Sequence, residues 1–102
     1  MREQTDRRNR RIETLFREEI ARILSERGDP DIGFITVTRV EIKKDRSKIF
    51  CYVRFLSDEE RGFAALKEAR LSIKSEIARG ISLRFMPDIE FRIDKGVYPI
   101  SA

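Results

Sequence analysis

The chain begins with a helical rhythm of apolar positions. Ile12, Leu15, Phe16, Ile20, Ile23 and Leu24 recur at spacings of three and four, and on a helical wheel they fill an arc of about 180°. Arg7, Arg10, Arg11, Thr14 and Arg17 fall on the opposite side, and Arg8 flanks the apolar edge. Thr5 or Asp6 is expected to cap the start of this helix. Gly28, followed by Asp29-Pro30, is expected to stop it. Two runs rich in β-branched residues follow, at 33–42 and 48–56. Both carry apolar residues at both parities, as expected for strands buried on one face and partly covered on the other. The polar stretch 43–48 between them predicts a turn and hence an antiparallel hairpin.

A second helical region starts at Ser57, where Ser57 and Glu60 have the spacing of a capping box. Phe63, Leu66 and Ala69 mark one buried face, and Ile73, Ile77 and Ile81 mark another. A straight helix would leave Arg70 in the buried arc and Leu71 facing outward. A change of phase at residues 69–71 removes both misfits, so a kink or break is expected there. Gly80 and Pro87 close the region. Residues 88–94 alternate strictly, with Ile89, Phe91 and Ile93 on one side, and predict a half-buried third strand. Residues 1–4 and the tail 95–102 are expected to be loosely held. The order helix, strand, strand, helix, helix, strand gives an α+β class, with a three-stranded sheet packed by helices. That is the topology of a type II KH domain.

The length of 102 residues fits one domain. Charged residues reach 39%, well above the usual quarter. Lys plus Arg number 22 against 18 acidic residues, for a net charge of +4, so the surplus points to an anionic partner. The absence of His removes the commonest general base, the usual neutral zinc ligand and every His-based triad. A single Cys can form neither an internal disulfide nor a thiolate cage, which suits a reducing cytoplasm. No apolar run is long enough to span a membrane, and the charged N-terminus lacks the core of a signal peptide.

Catalytic groupings are hard to assemble from these residues. Asp29 and Asp31 read as loop-shaping residues before they read as a metal pair. Glu18 and Glu19 are adjacent on a helix and point apart. Cys51 lies in a predicted strand and is expected to be buried and structural. No phosphate-cradling Gly loop is present. Phe34, Phe50, Phe55, Phe85 and Phe91 read as core candidates, and none as a base-stacking platform.

The basic clusters carry more information. Arg7, Arg8, Arg10 and Arg11 crowd the start of helix one, where a positive helix dipole opposes them by some tenths of a kcal/mol per exposed charge. The hairpin turn adds Lys43, Lys44, Arg46 and Lys48. The kinked helices add Lys67, Arg70, Lys74 and Arg79, and Arg84 precedes the third strand. Any one of these could belong to an ordinary solvated face. The self-repelling quartet favours a partner, and the arginine fork suits phosphate. A KH domain that reads single strands clamps the backbone with a Gly-x-x-Gly loop. The corresponding joint here, Ala69-Arg70-Leu71, contains no Gly.

At this point the chain resembles a known family, ribosome-binding factor A. The most specific stretches are Asp29-Pro30-Asp31-Ile32 with Ile35-Thr36-Val37-Thr38-Arg39-Val40-Glu41, then Asp45 and Tyr52-Val53. Ala65-Leu66, Leu83-Arg84, Pro87-Asp88-Ile89 and Phe91 follow in order. The resemblance runs from about residue 5 to 94. It implies a KH-like fold in which a kinked helix pair with an Ala-x-Gly motif replaces the Gly-x-x-Gly loop. Ala69 matches that motif, while Leu71 stands where Gly is expected. It further implies a bacterial, cytoplasmic, non-enzymatic factor without cofactor. Such a factor binds the 16S rRNA of the small (30S) subunit, assists its late maturation and rRNA processing, and helps growth in the cold. Many members carry a longer C-terminal tail. A monomer is expected, since no apolar seam argues for a dimer, and neither a membrane nor a small-molecule substrate is expected. The expected RNA-binding residues are Arg7, Arg8, Arg10, Arg11, Lys43, Lys44, Arg46, Arg70, Lys74, Arg79 and Arg84. Two alternatives remain at this stage: a protein-interaction module whose charged helix docks an acidic partner, and a small α/β enzyme of the acylphosphatase size class.

Overall fold

The computed structural model describes residues 2–96, with side chains from residue 7 onward. The elements run α1 (Arg2–Arg27), β1 (Ile35–Ile42), β2 (Lys48–Phe55), α2 (Glu59–Glu68), α3 (Arg70–Gly80) and β3 (Asp88–Ile93). The α+β, type II KH-like order expected from the pattern is the order observed. β2 is the central strand, antiparallel to β1 and parallel to β3. The expected loose tail at 95–102 lies, from residue 97 onward, outside the described residues.

The core is one layer of side chains between the sheet and the three helices. Phe16, Ile20, Ile49, Cys51, Val53, Leu66, Ile73 and Ile77 are fully buried, and Ile89 and Phe91 complete the layer from β3. Each large apolar side chain so buried contributes about 1.5–3 kcal/mol relative to exposure. The stripe on α1 is narrower than its wheel suggests. Phe16, Ile20, Ile23 and Leu24 are buried, Ile12 packs at the margin, and Leu15 is largely exposed.

The mixed parity of β1 has a different origin from the one expected. The register slips between Val37 and Arg39, leaving Thr38 as the extra residue of a β-bulge. Ile35 and Val37 before the bulge, and Val40 and Ile42 after it, therefore all pack against the core despite opposite parity. The Thr38 hydroxyl, freed from regular pairing, donates to Asp94 Oδ2 at 2.6 Å. In β2 the second face is indeed covered. Arg39 lies 4.1 Å from the centroid of the Tyr52 ring, and Arg92 lies 4.1 Å from that of Phe50.

Helix boundaries also depart from expectation. α1 starts at Arg2, upstream of Thr5 and Asp6, so neither caps it. Gly28, in the left-handed region (φ 55°), ends it as foreseen. α2 is capped by Asp58, not by Ser57: Asp58 Oδ1 accepts from Arg61 N at 3.1 Å. The carboxylate one residue later takes the role because Glu59, not Asp58, is the first helical residue.

The break between α2 and α3 falls at Ala69, whose φ of −82° and ψ of −1° lie at the edge of the right-handed helical region. Its N–H still bonds Ala65 O at 3.0 Å, and its carbonyl accepts from Ile73 N at 2.9 Å. The two helices thus bend without Gly or Pro. Leu71 has no positive φ, so the joint does not require the family's Gly there. The break rotates Ile73 and Ile77 into the core, but it does not shelter Leu71, which stays 65% exposed. Arg70 is half-buried and ion-paired.

Two consequences are measurable. A Cβ at Gly62 would sit 2.6 Å from the Phe55 ring and 2.9 Å from the Ile32 carbonyl. Gly62→Ala should therefore destabilise by about 1–3 kcal/mol, despite the better helix propensity of Ala. A thermal melt with an unchanged or higher Tm would contradict this close approach. Burial pushes the Cys51 thiol up to about 12. At pH 8 it should resist alkylation in the folded protein and react once denaturant unfolds the chain.

Candidate nucleic-acid interface

Two side chains of α1, one helical turn apart, hold the hairpin. Asn9 Oδ1 accepts from Arg46 Nε at 3.1 Å, and Glu13 Oε2 accepts from Ile42 N at 2.9 Å. Asn9 is 8% exposed, so its bond to Arg46 is a sheltered one. The turn itself is built by Asp45, whose Oδ1 accepts from Ser47 N at 3.0 Å and Ser47 Oγ at 2.7 Å. These bonds, the Ser47 hydroxyl foremost, hold the Asp45 carboxyl below the usual range and keep it charged. Arg46 occupies the left-handed region (φ 60°), with its N–H bonded to Lys43 O at 2.8 Å. A non-Gly residue there is unusual, and the strain is held by the flanking bonds.

The clasp gathers charges that are distant in sequence. Arg10 and Lys44 line one shallow groove with Asn9 and Glu13. Arg10 and Arg11 flank exposed Leu15 on the other side of α1. Arg46 and Arg84 line a deeper groove of about 480 Å³ between α1, the turn and the loop before β3. Arg7, Arg8, Arg10 and Arg11 are exposed and make no ion pair with another described residue. Because α1 begins five residues before Arg7, the quartet lies beyond the first turn. The helix dipole falls off within that turn, so the expected dipole conflict is weak and mutual repulsion is the main cost.

The remaining candidates fall elsewhere. Arg70 Nη1 and Lys74 Nζ both reach Asp88 Oδ1, at 2.8 and 3.3 Å. The hydrogen bond from Lys74, with the charges of Lys74 and Arg70, holds the Asp88 carboxyl below the usual range. Lys48 pairs with Glu90 at 3.3 Å, and Glu90 also accepts from Arg92. The joint of α2 and α3 is thus lined by cations that the chain's own carboxylates engage. Arg79 is exposed on α3, and no contact joins it to either group among the described residues. Lys43 is exposed at the start of the turn.

Asp29 Oδ1 accepts from Asp31 N at 2.9 Å, and Asp31 pairs with Arg61 at 2.6 Å, so both shape the loop after α1. Phe91 is buried and Phe55 partly so. Phe34 and Phe85, expected in the core, are 76% and 79% exposed. Phe34 precedes the first paired residue of β1, and Phe85 sits in the loop 81–87, where no strand or helix turns it inward. The available signal for Phe85 was an aromatic beside Arg84 in a segment bounded by Gly80 and Pro87 with no apolar period. Among the described residues, no helix is long and apolar enough to cross a membrane.

Comparison with known proteins gives the same answer from three sides. The family model of Ribosome-binding factor A matches residues 8–99. A ribosome-binding factor A from Macrococcus caseolyticus is 34% identical over 94 residues, covering 88% of this chain and 82% of the relative. The crystal structure of ribosome-binding factor A from Thermus thermophilus superposes with a TM-score of 0.78 at 27% identity, over 83% of this chain and 94% of that one. A homology model of a Thermus thermophilus ribosome-binding factor A, fitted into a cryo-electron-microscopy map of its 30S complex, superposes with a TM-score of 0.67 at 28% identity, over 76% and 85% of the two chains. On fold, motif order and likeness alike, this chain belongs to the ribosome-binding factor A family.

Proposed function

We propose that this chain binds the 16S rRNA of the small ribosomal subunit and assists late maturation of that subunit in the bacterial cytoplasm. Its contact surface is the start of α1, the hairpin turn and the loop before β3. The observation that carries the reading is the assembled cation cluster: Arg7, Arg8, Arg10, Arg11, Lys44, Arg46 and Arg84 sit on adjoining elements, and none forms an ion pair among the described residues. The Thermus thermophilus relative seen in a 30S complex supports the choice of subunit. The work done is binding rather than turnover. A domain that prefers one arrangement of immature RNA shifts the population toward it by its differential affinity. Phosphate contacts set position and orientation without reading sequence. Support of growth in the cold follows from this role, because a misfolded RNA arrangement escapes more slowly at low temperature. The protein acts as a monomer.

Within the wider set of cations, the two groups contribute unequally. Arg70 and Lys74 must leave Asp88 before they can serve a phosphate, whereas the quartet has no such prior partner. Lys43 and Arg79 add to the long-range field.

The test is a salt titration of binding to purified immature small subunits. Replacing Arg7, Arg8, Arg10 and Arg11 by Ala should weaken binding and flatten the plot of log affinity against log salt, by up to about 0.9 for every duplex phosphate no longer neutralised. The fold should persist, since all four side chains are exposed. Arg70→Ala with Lys74→Ala should flatten it less. Unchanged affinity and slope in the quartet variant would remove α1 from the interface, and salt-insensitive binding by the parent chain would favour an acidic protein partner.

A further inference from the structure

The groove of about 480 Å³ is unlike the rest of the cationic surface. Its floor is apolar, formed by Ile12, Ile42, Met86 and Pro87. Its rim carries Arg46 and Arg84, and the loop that closes it presents Phe85 at 79% exposure. The Arg84 guanidinium lies 5.7 Å from the Phe85 centroid, within cation–π range. With Phe34 and Leu56, Phe85 is among the most exposed large apolar side chains of the described residues, and of these three it alone borders the cationic groove.

The chemistry of the groove selects its occupant. An apolar floor and the charged Asp45 at the edge both disfavour a phosphate inside. Asp45 Oδ1 is spent on Ser47, while Oδ2 makes no hydrogen bond among the described residues. A group with flat apolar faces and a polar edge, attached to phosphates that lie outside, satisfies every wall at once. That description is an unpaired nucleotide. We propose that the groove is a nucleotide subsite: one unstacked base of single-stranded RNA lies against Phe85 over the apolar floor, its flanking phosphates meet Arg46 and Arg84, and its exocyclic amine donates to Asp45 Oδ2. This rests on the RNA-binding reading above and adds to it the class of RNA, a loop, bulge or end in place of a duplex. Base–aromatic stacking tolerates any base, and the carboxylate favours adenine, cytosine or guanine over uracil. The clasp supports the subsite, because Asn9 fixes the Arg46 guanidinium at the rim.

The experiment uses the full chain and a 12-nucleotide RNA bearing one 2-aminopurine, as a single strand and as a duplex. The parent should bind the single strand more tightly and change the fluorescence of the aminopurine. Phe85→Ala should weaken affinity for the single strand roughly 5- to 150-fold, keep its salt slope, and abolish the fluorescence change. Phe85→Trp should restore both. Phe85 is exposed, so a melt identical to the parent's should accompany these effects. If Phe85→Ala binds the single strand as the parent does, with the same fluorescence change, the subsite is wrong while the cationic interface stands. Dependence on Phe85 for whole subunits but not for RNA would mean that the ring meets a protein, which also overturns it. If the parent binds neither RNA form and the Arg quartet is dispensable on subunits, both readings fall together.

Discussion

A three-stranded sheet with a single apolar face is the constraint behind the rest of this molecule. Ile49, Cys51 and Val53 of the central strand are fully buried on that face, and three strands supply too little area to close on themselves. Three helices must cover it, and each bends its local pattern to do so. α1 commits only Phe16, Ile20, Ile23 and Leu24, and leaves its other sides to charge. β1 spends Thr38 on a bulge so that four apolar residues of mixed parity reach one layer. The second helical region breaks at Ala69, between the buried face marked by Leu66 and the one marked by Ile73 and Ile77. A single uninterrupted helix would have left Arg70 in the core.

Cover on one face leaves the polar work to edges and ends. Asn9 and Glu13 tie the hairpin to α1 with two hydrogen bonds, and that attachment converts separate clusters along the chain into one positive surface. On the far side of β3, the same residue types behave differently. Asp88 and Glu90 hold Arg70, Lys74, Lys48 and Arg92, so each of those cations already has a carboxylate partner. Surface pairs of this kind contribute little to stability, but they decide which arginines are free to attract an anion.

Much of this was readable from the chain before any coordinates. The six elements, the hairpin, the break at residue 69 and the buried cysteine all follow from periodicity and breakers, because each rests on local pattern. What was not readable depends on contacts made from outside the segment. The bulge at Thr38 was hidden because mixed parity is equally the mark of a strand covered on both faces. The start of α1 was misplaced because Thr5 and Asp6 are good caps and equally tolerable inside a helix. Asp58 displaced Ser57 as cap by one residue, a margin finer than composition resolves. Phe85 was assigned to the core by its residue type alone, while its exposure comes from the path of a loop. Among the cations, nothing in the sequence separated Arg70, held by Asp88 eighteen positions later, from Arg46, held by Asn9 thirty-seven positions earlier.

The parallel pairing of β3 with β2 has a bearing on biosynthesis. The middle strand of the sheet is made early, yet one of its two edges waits for residues 88–93. Until those emerge from the translating ribosome, β2 offers an unpaired backbone row, and Ile49 and Cys51 lack their sheet neighbours Ile89 and Phe91. A nascent chain without β3 therefore holds helices and a hairpin but no closed core, and cooperative folding waits for that strand. The groove between α1, the hairpin turn and the loop before β3 likewise takes its final shape only once that strand has paired.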